Sequence, residues 1–289
     1  VNPGTGKKDD FNHVPLHRAR WNVLDMIKHV GTDAIPAYLF YDIDMTWAES
    51  LRKRFAAVGH KTTVTAILLK AIAVAQRAHP LTRTALLPTG KMVTLNNITA
   101  GFTVERLVGE QPAVFFGAIK DTDSKPISQI ADELRSYALE DVKDHPQLEI
   151  EDRFSHFPVW LRKIILFVGM RVPEIRLQYM GATFGFSSLG KFGCRTIIPP
   201  CVSTSTFGIG EVEERPVAIN GKIEIRPILS LTLNFDHRVI DGAPAARFMQ
   251  DVINLLQGGL EEYVREELDK LAAAKGRTQQ PQSAAMAIS

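Results

Sequence analysis

The run Leu229-Ser230-Leu231-Thr232-Leu233-Asn234-Phe235 alternates apolar and polar side chains. It then breaks into Asp236-His237-Arg238-Val239-Ile240-Asp241-Gly242, after which apolar residues recur at helical spacing from Ala245 to Leu256. A period of two that gives way within ten residues to a period of 3.6 specifies a strand, a tight turn and a helix. The turn puts an imidazole, His237, where a rigid scaffold presents reactive groups. With an ordinary pKa of about 6.5, a histidine there takes up and returns a proton near neutral pH. Gly242 is expected to let the backbone turn sharply, and Asp241 to cap the helix, with Pro244 tolerated in its first turn.

Other segments place this unit in a mixed α/β chain. Thr46-Trp47-Ala48-Glu49 reads as a capping box opening a helix that ends near Ala57. Val64, Ile67, Leu68, Ala71, Ile72 and Ala75 give an amphipathic helix over 62–78 that stops before Pro80. Segments 98–105 and 112–119 read as strands, and Ile127–Tyr137 as a helix. Asn220-Gly221 between two alternating runs predicts a hairpin. Residues 1–12 are polar and expected to be loose. Gly4-Thr5-Gly6-Lys7 lacks the strand and spacing of a phosphate loop and reads as part of that terminus.

Lys plus Arg total 34 against 32 Asp plus Glu, which leaves no basic footprint for nucleic acid. No stretch of about 18 apolar residues offers a membrane span, and no apolar leader opens the chain. The two cysteines, Cys194 and Cys201, are too few for a disulfide framework or a zinc site; they read as reduced thiols in a cytoplasmic protein.

The phrase Phe235-Asp236-His237-Arg238-Val239-Ile240-Asp241-Gly242, running into Ala245-Ala246-Arg247-Phe248, resembles the active-site signature of the dihydrolipoamide acyltransferases, the cores of 2-oxoacid dehydrogenase complexes. Chloramphenicol acetyltransferase shares the fold but typically has a second histidine where this chain has Asp236. Pro15-Leu16-His17-Arg18-Ala19-Arg20, Ile35-Pro36 with the Tyr38–Asp44 strand, Ala118-Ile119-Lys120-Asp121-Thr122-Asp123 and Thr183-Phe184-Gly185-Phe186-Ser187-Ser188-Leu189-Gly190 resemble further family segments in the same order. The likeness runs from about residue 13 to 257.

The resemblance implies a two-layer mixed-sheet sandwich of the chloramphenicol-acetyltransferase-like α/β class, assembled as a trimer. It implies acyl transfer between coenzyme A and a dihydrolipoamide-like thiol, with no metal or redox cofactor. His237 is then the general base. The Ser187 hydroxyl is the donor to the oxyanion, with adjacent Ser188 as the other candidate. Each active site is expected between subunits, His237 of one facing Ser187 of its neighbour. Asp241 either orients His237 or plays a structural part, capping the helix or pairing with Arg18 or Arg20. Those two arginines otherwise read as a solvated pair. A hydroxyl or amine acceptor, or a non-catalytic trimeric scaffold, are the alternative readings.

The chain departs from the family pattern in several places. The expected layout is a loose terminus over 1–12, a catalytic domain over 13–260, an extra helix over 261–275 with a solvated charged face, and a disordered tail over 276–289. No lipoyl or subunit-binding domain is seen before the catalytic region, so a lipoyl carrier is expected to be a separate protein. Ile198-Pro199-Pro200-Cys201-Val202 stands where the family has Asn-Pro-Pro-Glu, which alters the coenzyme A contacts. The added helix at the C-terminal end points to a free trimer rather than a cage. Finally, about 140–182 is an insertion carrying Phe157–Met170, apolar on most of its circumference, with Arg153, Arg162, Lys163 and Arg171 around it. A helix of that kind is usually buried, so a cover within the oligomer is the first reading. An acyl-chain pocket or lid comes second and a membrane-surface helix third.

Overall fold

The computed structural model describes residues 20–28, 34–87, 89–108, 111–172, 175, 177 and 181–278. The expectations for residues 1–12, the Gly4–Lys7 run, Arg18 and residues 279–289 lie outside the described residues.

The fold is built around a six-stranded sheet. After a short helix α1 (Arg20–Met26) come strand β1 (Pro36–Asp44) and helices α2 (Thr46–Ala57) and α3 (Val64–Ala78). A small hairpin, β2 (Thr84–Leu86) with β3 (Met92–Thr94), precedes the long hairpin β4 (Ala100–Val108) and β5 (Gln111–Ile119). Three helices follow: α4 (Ile127–Leu139), α5 (Pro146–Ser155) and α6 (Val159–Arg171). The chain then returns to the sheet as β6 (Phe184–Ser188), β7 (Ser205–Ile219) and β8 (Lys222–Asp236), and closes with α7 (Gly242–Asn254) and α8 (Glu261–Thr278).

The strand order is β1-β8-β7-β6-β4-β5, with β6 parallel to both β4 and β7 and the remaining pairs antiparallel. One face of this mixed sheet carries the helices. Ile43, Phe102, Phe115, Phe184, Phe207, Leu231 and Phe235 share a single core with buried residues of α3, α4 and α7. α3 is the central helix, buried from Ala66 to Gln76, and the Thr63 hydroxyl caps it by accepting from the Ala66 N–H at 3.1 Å. The two-layer mixed-sheet sandwich expected from the sequence is the architecture observed.

The β7–β8 hairpin turns at Asn220 (φ 50°) and Gly221 (φ 75°), the left-handed pair that a two-residue turn between twisted strands requires. The capping box does not form: Thr46 is already inside α2, whose N-cap is Met45. Asp44 does the capping instead, its carboxylate accepting from the Thr46 N–H at 2.8 Å. The Ala118–Asp123 motif is a turn locked by its own side chains. Thr122 donates to the Ile119 carbonyl and accepts from the Ala100 N–H, while buried Lys70 of α3 donates to the Asp123 and Lys125 carbonyls. Desolvation lowers that ammonium to about 8.

α8 is not merely solvated. Val264 and Leu268 are buried, as is Leu260 just before the helix, and Glu267 accepts from the N–H groups of Ile127 and Ser128 at 2.9 and 2.7 Å, capping α4 from another element. α6 is the opposite case. Its apolar circumference suggested burial, yet Arg162 is its one buried residue and most of its apolar side chains face solvent.

Candidate active site

β8 ends in a turn that its own residues and the neighbouring strand hold rigid. The Asp236 carbonyl accepts from the N–H groups of Val239 and Ile240 at 3.0 and 3.1 Å, and the His237 N–H donates to the Ile35 carbonyl at 2.8 Å. The Asp236 carboxylate accepts from the Ile35 N–H, the Arg238 N–H and, bidentately, the Arg238 guanidinium. Burial alone pushes this carboxyl up, but the bonds from Arg238 and Ile35 prevail and hold it below the ordinary range. Asp236 and Arg238 thus fix the backbone that carries His237. In the sequence Asp236 stands out only as a difference from chloramphenicol acetyltransferase. A charge of each sign on either side of the histidine was the available signal.

His237 projects from this turn with its side chain 47% exposed. Its Nδ1 lies 3.7 Å from a carboxylate oxygen of Asp241, too far for a hydrogen bond but close enough for one to form with a small rotation. Asp241 occupies the N-cap position of α7 without a side-chain cap bond, and its side chain is 84% exposed. The expected side-chain cap is therefore absent, and the described residues contain no Asp241–Arg20 ion pair; Arg20 is exposed at the start of α1. The reason is orientation: the carboxylate swings toward the imidazole and solvent, while the Asp241 carbonyl takes the Ala245 N–H. Gly242 adopts no left-handed conformation, and a Cβ built on it would meet nothing within 4 Å. Its expected backbone role is not used; it leaves open space beside the histidine.

Ser187 lies in β6, half-buried, and Ser188 after it is exposed. Ser187 aligns with Gly208 of β7, which aligns with Thr232 of β8. His237 lies five residues beyond Thr232 and two strands away. Strand rise and spacing put the two residues on the order of 19 Å apart in one protomer. The fold does not bring Ser187 to its own His237.

The segment Cys194–Pro199 crosses the other face of the sheet over β7. A Cβ at Gly208 would sit 2.1 Å from the Ile197 carbonyl, and one at Gly210 2.1 Å from the Cys194 carbonyl, so this path needs both glycines. Asn234 donates to the Pro199 carbonyl at 2.8 Å and pins the segment to β8. Cys201 beyond it is buried, its thiol pushed up to about 12 by desolvation and by Asp236, an inert group; neither cysteine is in a disulfide. Arg83, Ser203, Thr204, Asp236 and Arg238 line a cleft beneath the histidine turn.

On the open face of β1, beside the His237 turn, Tyr38 and Phe40 are both exposed, while the alternate residues Leu39 and Tyr41 pack on the core. No helix among the described residues is long and apolar enough to cross a membrane.

The family model for the catalytic domain of 2-oxoacid dehydrogenases acyltransferase matches residues 8–149 and 175–262. The dihydrolipoyllysine-residue succinyltransferase component of the 2-oxoglutarate dehydrogenase complex of Buchnera aphidicola (subsp. Schizaphis graminum) is 22% identical over 260 residues, 87% of this chain and 57% of that protein. The lipoamide acyltransferase component of the branched-chain alpha-keto acid dehydrogenase complex of Pseudomonas putida is 40% identical over 85 residues, 28% of this chain and 20% of that protein. The chain thus matches only about half or less of the length of these relatives. Among solved structures, the cubic core of a pyruvate dehydrogenase multienzyme complex superposes with a TM-score of 0.64 at 25% identity, covering 90% of this chain and 97% of that one. The dihydrolipoamide acetyltransferase of Azotobacter vinelandii does so with a TM-score of 0.64 at 26% identity, with the same coverages; a serine, a histidine and an asparagine were probed there for their roles in catalysis. The match skips 150–174, the end of α5 and all of α6, and stops just inside α8. A match over most of the chain, on this fold, shows that the protein belongs to the 2-oxoacid dehydrogenase acyltransferase family through its catalytic domain.

Proposed function

We propose that this chain is a coenzyme A-dependent acyltransferase, moving an acyl group between coenzyme A and a dihydrolipoamide-like thiol presented by a lipoyl carrier protein. The observation that carries this reading is His237 itself. It is a half-exposed imidazole on a turn fixed by Asp236, Arg238 and Ile35, with one ring nitrogen directed to a carboxylate.

With Nδ1 toward Asp241, Nε2 is left to face a substrate thiol. A thiol of pKa about 8.5 gives its proton to an ordinary neutral imidazole, of pKa about 6.5, at a cost of only about 3 kcal/mol. The thiolate attacks the thioester carbonyl; the carbonyl π electrons move to oxygen, giving a tetrahedral oxyanion. The Ser187 hydroxyl, with Ser188 next to it, is the donor to that oxygen, a contact worth on the order of 3 kcal/mol in such sites. Collapse expels the second thiolate, which takes the proton back from His237. Asp241 keeps the ring in the orientation that exposes Nε2 and steadies the imidazolium. In the Azotobacter protein the probed histidine and asparagine have the spacing that separates His237 from Asp241, so a carboxylate stands here where that protein has an amide.

Ser187 and His237 are far apart in one protomer, and Tyr38 and Phe40 leave an apolar face beside the histidine. Both features favour a homotrimer whose active sites lie between subunits. The family resemblance favours chemistry without a metal, and the balanced charge suits a cytoplasmic protein.

The test is coenzyme A release from short, branched and long acyl-CoAs with dihydrolipoamide as acceptor, the parent beside His237→Ala. Turnover reduced at least about a thousandfold in the variant is the expected result, at the upper part of what a general base contributes. Folded trimers inactive on every donor would overturn the thiol-acceptor reading and direct attention to hydroxyl or amine acceptors, or to a scaffold.

A further inference from the structure

The segment 150–174, which the family match leaves out, holds a feature the proposed chemistry does not use. α6 reads VWLRKIILFVGMR, thirteen residues with three basic side chains, no acidic one and the rest apolar or glycine. It is seated by one deeply buried contact: Arg162, 2% exposed, donates to the Asp25 carboxylate of α1 at 2.5 Å and lies 5.1 Å over the Phe154 ring. That anchor fixes which way the helix faces. Trp160, Lys163, Ile164, Phe167, Val168 and Arg171 fall at helical spacing on one outward stripe, and Trp160 is 65% exposed. The Arg171 guanidinium lies 3.5 Å from the Phe167 ring centroid, its stem along the apolar surface and its charge at the margin.

The position in the sheet rules out a lid over the chain's own histidine. α5 packs on β5, and β5 is the edge strand opposite β1. Five strand spacings, about 24 Å, separate β5 from β1, which carries the contact to the His237 turn. A second copy docked stripe to stripe about a twofold axis would bring Lys163 and Arg171 of each helix against those of the other, with no acid on either to answer them.

An apolar stripe about 20 Å long with aromatic side chains and basic residues at its margin matches a different surface. We propose that α6 docks this protein on an anionic lipid bilayer. Trp160, Ile164, Phe167 and Val168 enter the acyl-headgroup boundary, and Lys163 and Arg171 meet the lipid phosphates. The helix lies in the plane of the surface and does not cross it. This reading is independent of the acyl-transfer chemistry.

The test is co-sedimentation of the full chain with phosphatidylcholine vesicles, with and without phosphatidylglycerol, together with tryptophan emission. The parent is expected to pellet with the anionic vesicles and to shift its emission to the blue. Phe167→Ser should abolish pelleting, and Lys163→Glu with Arg171→Glu should weaken it about tenfold or more. Circular dichroism and melting of each variant establish that it is folded. Parent and folded variants that pellet alike, or a parent that ignores anionic vesicles, would overturn the proposal. So would sedimentation velocity showing that Phe167→Ser breaks up an oligomer without affecting vesicle binding, which would assign the stripe to contact between copies of the chain.

Discussion

Two helices, α6 and most of α8, lie outside the family match, and the chain treats them differently. α8 is highly charged, yet the protein packs it into the fold: Val264 and Leu268 are buried, Glu267 caps α4, Glu261 pairs with Arg54, and Lys275 donates to the Ala57 carbonyl at the end of α2. α6 is highly apolar, yet it is held by a buried ion pair and turns most of its apolar surface outward. Hydrophobic content alone would have buried α6 and left α8 in water. The sites that needed filling decided otherwise. The start of α4 and the end of α2 expose backbone groups that a charged helix can satisfy, whereas the β5 edge is already covered by α1 and α5.

If that account holds, the largest response should come from the base of the insertion. Glu151 of α5 accepts from the Phe116 N–H of edge strand β5 at 3.0 Å, and desolvation raises its carboxyl to about 8 despite that bond and one from Gln147. A raised carboxyl binds its proton more tightly in the folded state. The stability it contributes is therefore complete below about pH 4.5 and lost as pH rises toward 8. Urea unfolding between pH 5 and 9 should show a decline on the order of 4 kcal/mol from this group, absent in Glu151→Gln. A flat profile in the parent would mean that the edge contact is not a desolvated one.

Next comes the anchor of α6. Arg162→Ala leaves Asp25 a largely buried charge without its partner and should cost about 3 kcal/mol, measured by chemical denaturation. A cost near zero would mean that α6 is not seated by this pair. Glu267→Ala should cost about 2 kcal/mol, because two N–H groups of α4 lose a charged acceptor. On the outward stripe, Phe167→Ser should change stability by less than about 0.5 kcal/mol, since the side chain is exposed. A large loss there would place α6 in the core and erase the contrast with α8.

Much of this architecture was legible locally. The strand–turn–helix at Leu229–Leu256, the helix over 62–78 and the Asn220–Gly221 hairpin are written in spacings of two to four residues. Thr46–Glu49 does not act as a capping box because Asp44, two residues before it, takes the Thr46 N–H. Asp241 as a cap and Gly242 as a turn glycine were plausible from residue type, but torsions and side-chain direction decided them.

By itself the sequence determined many of the elements and singled out the His237 turn as the candidate site, because periodicity and turn chemistry act between near neighbours. Only the tertiary structure decided what those elements meet. The His237 N–H finds the Ile35 carbonyl some two hundred residues earlier, Glu267 reaches α4 across 140 positions, and Arg162 reaches Asp25 across 137. The register of β6, β7 and β8 likewise holds Ser187 away from its own histidine. Such pairings depend on which strands share a sheet and which helix ends lie side by side, and they are set by burial of the whole core rather than by any local pattern.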